Sequence, residues 1–341
     1  MTVRIGFLGA GLIATYHGKS LRRSGADHVI AAVYDPDEER RTAFAAASGA
    51  EPVDSEAAVL DRSDAVYVCT WTSEHPRLVA DVVARGLPVF CEKPLATTLE
   101  AAREMAAVTA AAGVVNQVGL VLRSSPAFLE LRHQLGDPRN GRVQAVVLRD
   151  DQYLPVQGMY GSTWRGDVAR AGAGTMLEHS IHDVDILEWL VGPLDGVSAR
   201  SSTFHGHPGI EDTVVAALAF AGGAHGSLTS VWHQLLDRPS LRRLEVICER
   251  AFFTLEHDVS GPVTWTRGDG GGGGSIEGEA LFAAVAERHG GRLPNQDRGF
   301  VEAVAAGAPG PDPDLSVAVR AHEVVDAVYR SAAEGGTPQR L

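Results

Sequence analysis

Cysteine is scarce in this chain: 341 residues carry three, Cys69, Cys91 and Cys248. Each lies in or at the end of an apolar run, where a thiol packs as a small hydrophobe, and the low count excludes a disulfide framework. None is needed, because a chain of this length divides into two domains that each bury a core without covalent staples. Thiols used in this way fit a reducing cytoplasm. Basic charge is also short. The 30 Lys and Arg against 43 Asp and Glu leave a net charge of −13, which offers no electrostatic footprint for a polyanion and excludes nucleic acid as a partner. Long apolar runs are missing too, since none approaches the ~20 residues that span a bilayer. The chain therefore reads as soluble, with no membrane partner. Its opening, Met1-Thr2-Val3-Arg4-Ile5-Gly6-Phe7-Leu8, lacks an Ala-x-Ala cleavage pattern and runs into a glycine turn, so a first strand is expected there rather than a signal peptide.

What is present is a change of pattern near the middle of the chain. Residues 3–8, 29–34, 65–70, 87–91 and 114–122 are continuous apolar runs separated by helical segments, as in a parallel sheet covered on both faces. The Thr97-x-x-Glu100 spacing predicts a capping box opening an alanine-rich helix that stops at Gly113. Beyond residue 122 the strand candidates, 142–150, 213–220, 226–232 and 241–248, are longer and alternate in polarity, which predicts a mostly antiparallel sheet. One prominent helix, 174–191, interrupts them. The glycine run 270–274 is expected to be a mobile surface loop without a role. Helical periodicity returns at 300–306 and 317–332. The fold class is α/β: a doubly wound Rossmann domain over 1–122, an α+β domain with an open sheet over 123–293, and a closing segment, 294–341, whose helices pack back on the first domain. No internal repeat is visible.

Gly9-Ala10-Gly11-Leu12-Ile13-Ala14 follows the first strand and opens a helix, the context that gives a Gly-x-Gly-x-x-Ala match physical meaning. Gly9 permits the tight turn, Gly11 lets backbone approach a pyrophosphate, and Ala14 lets helix and strand pack closely. The helix start at Leu12 and Ile13 presents free N–H groups to the anion. Asp35, at the end of the second strand, is set to accept hydrogen bonds from an adenosine ribose and would repel a 2′-phosphate, which favours NAD over NADP. The bland alternative is a structural turn followed by an N-capping aspartate ahead of Pro36. The order strand, turn, helix, strand, acid favours the dinucleotide.

Two further constellations carry chemistry. In Cys91-Glu92-Lys93-Pro94 a lysine stands at the carboxyl end of a parallel strand, the edge where open α/β sheets bind ligands. Taken alone, an exposed lysine there is more often a solvated charge. The other is Gly172-Ala173-Gly174-Thr175-Met176-Leu177-Glu178-His179-Ser180-Ile181-His182-Asp183-Val184-Asp185. On a helix Glu178 and His182 share a face, with Asp185 three residues on, and His179 with Asp183 forms a second i, i+4 pair. Spacing does not say which histidine acts. A polar helix face is the plain alternative, and a zinc site lacks a third convergent ligand.

Together the Gly-x-Gly-x-x-Ala turn, the segment Thr70-Trp71-Thr72-Ser73-Glu74-His75, the Glu-Lys-Pro triplet and the acid-x-x-x-His-x-x-Asp run after glycines resemble the glucose-fructose oxidoreductase, inositol dehydrogenase and rhizopine catabolism family, Gfo/Idh/MocA, over nearly the whole chain. The resemblance implies an NAD-dependent dehydrogenase acting on a secondary alcohol of a sugar, cyclitol or related polyol. It implies that Lys93 contacts the reacting oxygen and the nicotinamide ribose, that His182 is the general acid or base, and that Thr70, Thr72, His75 and Glu92 lie on the cofactor side. Glu178 stands where many relatives carry aspartate, one methylene shorter. Trp164-Arg165 is similar to a substrate-side pair, with His179 and Asp185 as further substrate contacts. Leu122-Arg123-Ser124-Ser125 departs from the more basic run of many relatives. Two other readings remain, a redox-neutral enzyme that reduces and reoxidises NAD within each turnover to cleave a glycoside, and a non-catalytic sugar sensor. A sheet with helices on one face leaves the other to be covered, which predicts a homodimer or homotetramer.

Overall fold

A computed structural model describes residues 1–158, 160–268 and 270–341. The chain begins with alternating strands and helices: β1 (Val3–Leu8), α1 (Leu12–Ser24), β2 (His28–Tyr34), α2 (Glu38–Ser48), β3 (Glu51–Pro52), α3 (Glu56–Leu60), β4 (Ala65–Val68), α4 (His75–Ala84), β5 (Val89–Cys91), α5 (Leu99–Ala112) and β6 (Asn116–Val118). It continues through α6 (Pro126–Leu135), β7 (Val143–Tyr153), α7 (Val168–Ala171), α8 (Thr175–Glu178), α9 (Ile181–Val191), β8 (Leu194–Ser202), β9 (Thr213–Phe220), β10 (His225–His233), β11 (Leu241–Cys248), β12 (Ala251–Leu255), β13 (Val263–Arg267) and β14 (Gly273–Ile276). It closes with α10 (Gly278–Arg288), α11 (Gln296–Ala306), α12 (Leu315–Ala333) and β15 (Gln339–Arg340). Two compact units result. The first holds Met1–Leu120, Ala169–Gly172 and Asn295–Arg320, and the second holds Val121–Val168, Ala173–Pro294 and Ala321–Leu341.

In the first unit six parallel strands run in the order β3-β2-β1-β4-β5-β6. Both faces are apolar, which is why their sequences run continuously hydrophobic instead of alternating. One face packs Val66, Val68 and Val89 against α3, α4 and α5 through Val59, Leu78 and Met105. The other packs Ile5, Phe7 and Tyr67 against α1, α2 and α11 through Leu21, Phe44 and Phe300. Phe7, Tyr67 and Phe90 stack across β1, β4 and β5 with ring centroids 4.9 and 4.6 Å apart, and Phe300 meets Tyr67 edge-on.

Three expectations need adjustment in this unit. The run 114–122 yields only Asn116–Val118 as strand, after which Gly119 passes against the Glu92 side chain and the chain enters a 3-10 turn, Val121–Ser124. The cap of α5 is Thr98, whose hydroxyl accepts from Ala101 N–H, and not Thr97. The short edge strand β3 has no apolar run to announce it.

The second unit has nine strands in the order β14-β13-β12-β11-β7-β10-β9-β8-β15, antiparallel except where β7 meets β10. One face is buried beneath α6, α9, α10 and α12 through Phe128, Leu187, Leu281 and Val324. The other carries exposed Val147, Val215, Ile247 and Phe252, the outward positions of β7, β9, β11 and β12. The helix expected over 174–191 is two helices, α8 and α9, broken at His179 and Ser180.

The glycine run is a correction. Gly273 and Gly274 lie in β14, paired with Thr266 and Trp265 of β13. A Cβ at Gly274 would stand 2.4 Å from the Trp265 ring, so here the absent side chain makes room for an indole. Gly274→Ala is accordingly expected to cost about 1–3 kcal/mol, the usual scale of overpacking. The readout is a lower urea midpoint at unchanged slope; an unmoved midpoint would remove the steric account.

Candidate active site

The carboxyl edge of the parallel sheet assembles a phosphate cradle from the glycine turn upward. Gly9 has φ +95°, and a Cβ there would lie 2.4 Å from the carbonyl oxygen of Cys69, so only glycine turns the chain at this point. Over Gly11 the space is open, since a Cβ would meet nothing within 4 Å. No side chain caps the start of α1, which leaves the first N–H groups, those of Leu12 and Ile13 among them, aimed out of the helix end. Asp35 is buried and accepts from Ala10 N–H at 2.8 Å and from Asp37 N–H at 2.9 Å. The N-cap of α2 is Asp37, so Asp35 belongs to the glycine turn and not to a helix cap. An open glycine backbone, an uncapped helix start and a carboxylate at the end of β2 fit a dinucleotide.

Beside the cradle, β4 leads into Thr70 and a 3-10 turn, Thr72–Glu74, with Thr72 buried. His75, buried at the start of α4, lies 2.9 Å through Nδ1 from the Pro94 carbonyl and 3.3 Å through Nε2 from that of Thr70. One imidazole therefore ties the β4 loop to the turn after β5. In that turn the Lys93 N–H donates to Glu92 Oε2 at 3.1 Å, and the Lys93–Pro94 peptide is cis. Glu92 itself is buried. Its Oε1 lies 2.8 Å from Nε2 of His17 on α1, while Nδ1 of His17 lies 2.7 Å from Asp297 Oδ1 on α11. Tyr67 donates to the same Asp297 oxygen at 3.1 Å. Burial by itself would lower the His17 pKa, but Asp297 and Glu92 outweigh it and push it up to about 10. Sequence reasoning missed His17 and Asp297; 280 residues separate them, and nothing local links them.

In the second unit the functional run is organised by the break between α8 and α9. The carboxylate of Glu211 accepts from the N–H groups of Gly174 and Met176, and the Tyr329 hydroxyl donates to it. Gly174 is obligatory, because a Cβ would fall 1.8 Å from the Glu211 carbonyl oxygen. Ser180 donates inward to Ser230, which also meets Thr175, and His179 takes φ −127° and ψ −59°, off the helical track. The N–H groups of His179 and Ser180 both turn back to the Thr175 carbonyl, so the first helix closes there and α9 restarts after Ser180.

Residues of this run also take partners from other elements. The buried Glu178 carboxylate takes Arg165 Nε at 3.0 Å, and that guanidinium sits 4.5 Å from the Trp164 ring centre. His179, a quarter exposed, holds Asp150 of β7 at 2.8 Å. Asp183 binds Arg242 of β11, whose guanidinium also binds Asp150 and Asp258. Burial pushes the Asp183 carboxyl up against the pull of Arg242, and Asp150 beside it adds to the rise. Burial would raise Asp150 too, but Arg242 and His179 hold it low. His182 starts α9 with its ring centre 6.5 Å from that of His179. Asp185 is buried and paired bidentately with Arg123. Arg123, Asp150 and Arg242 were not anticipated, because each lies far along the chain from its partner.

Comparison with known proteins gives the family of the chain. The profile of the GFO_IDH_MocA oxidoreductase family, NAD-binding Rossmann fold, matches residues 3–120, and that of the GFO/IDH/MocA C-terminal domain matches residues 128–254. Inositol 2-dehydrogenase of Cereibacter sphaeroides is 33% identical over 236 residues, 65% of each chain, so the match spans just under two thirds of that relative. Inositol 2-dehydrogenase 2 of Paenarthrobacter aurescens is 32% identical over 270 residues, covering 75% of this chain and 76% of its own. Among solved structures, GenD2 from gentamicin A biosynthesis in complex with NAD superposes with a TM-score of 0.82 at 26% identity, covering all of this chain and 96% of its own. With a Rossmann profile over the glycine turn and a second profile over the helix break, the chain belongs to the Gfo/Idh/MocA oxidoreductase family.

Proposed function

We propose that the protein is an NAD-dependent dehydrogenase or reductase that moves a hydride between nicotinamide and a secondary carbinol carbon of a sugar, cyclitol or related polyol. The observation that carries this reading is the presence of both chemical elements, the Glu92-Lys93-Pro94 turn and the Glu178-to-His182 run, each fixed by buried polar contacts. The inositol 2-dehydrogenases among the relatives favour a cyclitol. NAD, when bound, supplies the hydride acceptor. Everything else falls to the chain. Gly9, Gly11, Leu12 and Ile13 hold the pyrophosphate and Asp35 the adenosine ribose, while Thr70, Thr72, His75 and Glu92 shape the nicotinamide side. His182 takes the hydroxyl proton as general base, a task suited to an imidazole at neutral pH. Lys93 stabilises alkoxide character developing on a reacting oxygen. Glu178, Trp164, Arg165 and His179 read the remaining hydroxyls, and Asp185 serves them through Arg123. The three free, buried thiols support a cytoplasmic setting, and no described helix is long and apolar enough to cross a membrane.

Lys93→Ala and His182→Ala are each expected to lower kcat by about 10²-fold or more, the scale of a general acid or base, with little change in NAD affinity. NADH formation against a panel of cyclitols, aldoses and ketoses is the measurement, and near-normal turnover removes the substituted residue from the mechanism. The exposed valines, isoleucine and phenylalanine on the uncovered sheet face support a homo-oligomer through that face. Light scattering at micromolar concentration is expected to give a dimer or tetramer and Phe252→Lys to shift it toward monomer; a monomeric wild type sinks the assembly.

A further inference from the structure

His17 sits on the helix that the glycine turn opens, and no step of the proposed reaction uses it. Its imidazole is fully buried on α1 and has a carboxylate oxygen at each nitrogen, Glu92 Oε1 at 2.8 Å and Asp297 Oδ1 at 2.7 Å. A neutral imidazole owns one N–H, so two such contacts require either an imidazolium or a carboxylic acid turned toward the ring. The other partners decide between these. Glu92 also accepts the Lys93 N–H, and Asp297 also accepts the Tyr67 hydroxyl, so both carboxyls already serve as acceptors. Protons on both ring nitrogens then complete the set without turning either carboxyl into a donor. Burial raises the Tyr16 and Tyr67 hydroxyls and the Cys69 and Cys91 thiols, and the adjacent carboxylates raise them further, so these four stay neutral, while the cationic Lys93 and Arg298 stand next in sequence to the two carboxylates. Glu92 packs directly over Gly119, where an added Cβ would lie 2.2 Å from its Oε1, so the glycine leaves the carboxylate its place.

Three separate pieces of the unit meet at this one ring: the helix whose start faces the pyrophosphate, the turn that carries Lys93, and α11. We propose that His17 is a buried imidazolium that acts through Glu92 as a positioning residue for Lys93, tying the lysine turn to the phosphate-binding helix. The role of Lys93 rests on the reaction proposed above; the charge on His17 does not. Without the imidazolium the two carboxylates face each other, one takes up a proton, and Glu92 loses the contact that orients its grip on the Lys93 backbone.

Two measurements test this on the full-length protein. Ring 15N shifts in histidine-labelled protein with NAD present, the His17 signal assigned by its loss in His17→Gln, are expected to be those of a doubly protonated ring at pH 8; an unprotonated ring nitrogen overturns the assignment. A histidine raised from 6.5 to about 10 stabilises the fold fully below pH 6.5, and that stabilisation drains away as pH climbs toward 10. Urea-unfolding stability of the wild type should therefore fall more steeply over that window than that of His17→Gln, and equal slopes count against the charge. The second measurement is a double-mutant cycle on kcat. His17→Gln is expected to lower kcat by about tenfold or more with polyol KM and NAD affinity within about threefold, the signature of a misplaced group. In the Lys93→Ala background it should change kcat by less than about twofold, because coupled residues are not additive. Equal losses in both backgrounds indicate a general structural effect and overturn the positioning role. Should His17→Gln fail to fold, Asp297→Asn, which removes the other carboxylate on the ring, takes its place in the cycle with the same expectation. Normal turnover by Lys93→Ala alone removes the lysine from the chemistry, and the positioning role with it, while the ring shifts still decide the charge.

Discussion

An imidazole buried between two carboxylates is costly unless its N–H groups find acceptors, and in the nucleotide-binding unit each ring nitrogen meets a carboxylate oxygen. His17 spends both nitrogens, Glu92 spends its second oxygen on the Lys93 backbone, and Asp297 takes the Tyr67 hydroxyl as well. The aromatic stack of Phe7, Tyr67, Phe90 and Phe300 surrounds it and keeps the local dielectric low, which strengthens each of these contacts and makes losing any of them costly. The parallel sheet supplies the ends of β1, β2, β4 and β5, and the ion cluster holds the turn after β5 against α1 and α11.

The second unit solves a different problem. Its functional residues lie on a short stretch that must leave the helical track, so the chain has to be paid for where it bends. Glu211 caps the first short helix, Ser180 and Ser230 bond beneath the break, and Arg242 pins Asp183 at the start of the next helix to Asp150 on the sheet. The result turns Glu178 toward Arg165 and His179 toward Asp150. Neighbouring residues thus take their partners from different elements.

Much of the fold was legible because burial leaves a strong mark on sequence. The continuous apolar runs gave the parallel sheet, and the alternating ones at 213–220 and 241–248 match β9 and β11 end to end. Errors gathered where hydrophobicity carries no information. β3 is two residues long, β14 contains glycines, and the strand expected over 114–122 ends at Val118 because the chain turns away past Glu92. The site divides along the same line. Gly9 and its positive φ could be read from the motif, since only glycine tolerates that backbone, whereas the helix break could not, since the residues around it are held by Arg165, Asp150 and Arg242, all of them outside the run.

The sequence by itself determined the order of strands and helices, the glycine turn at the end of β1 and the residue types available for hydride chemistry, because these depend on spacing and on side-chain properties that neighbours do not alter. Only the tertiary structure decided which charge meets which: His17 with Glu92 and Asp297, Arg165 with Glu178, Arg123 with Asp185, Arg242 with Asp150 and Asp183. Electrostatic partners are chosen by distance and burial in the folded chain, and neither quantity is encoded in separation along the sequence.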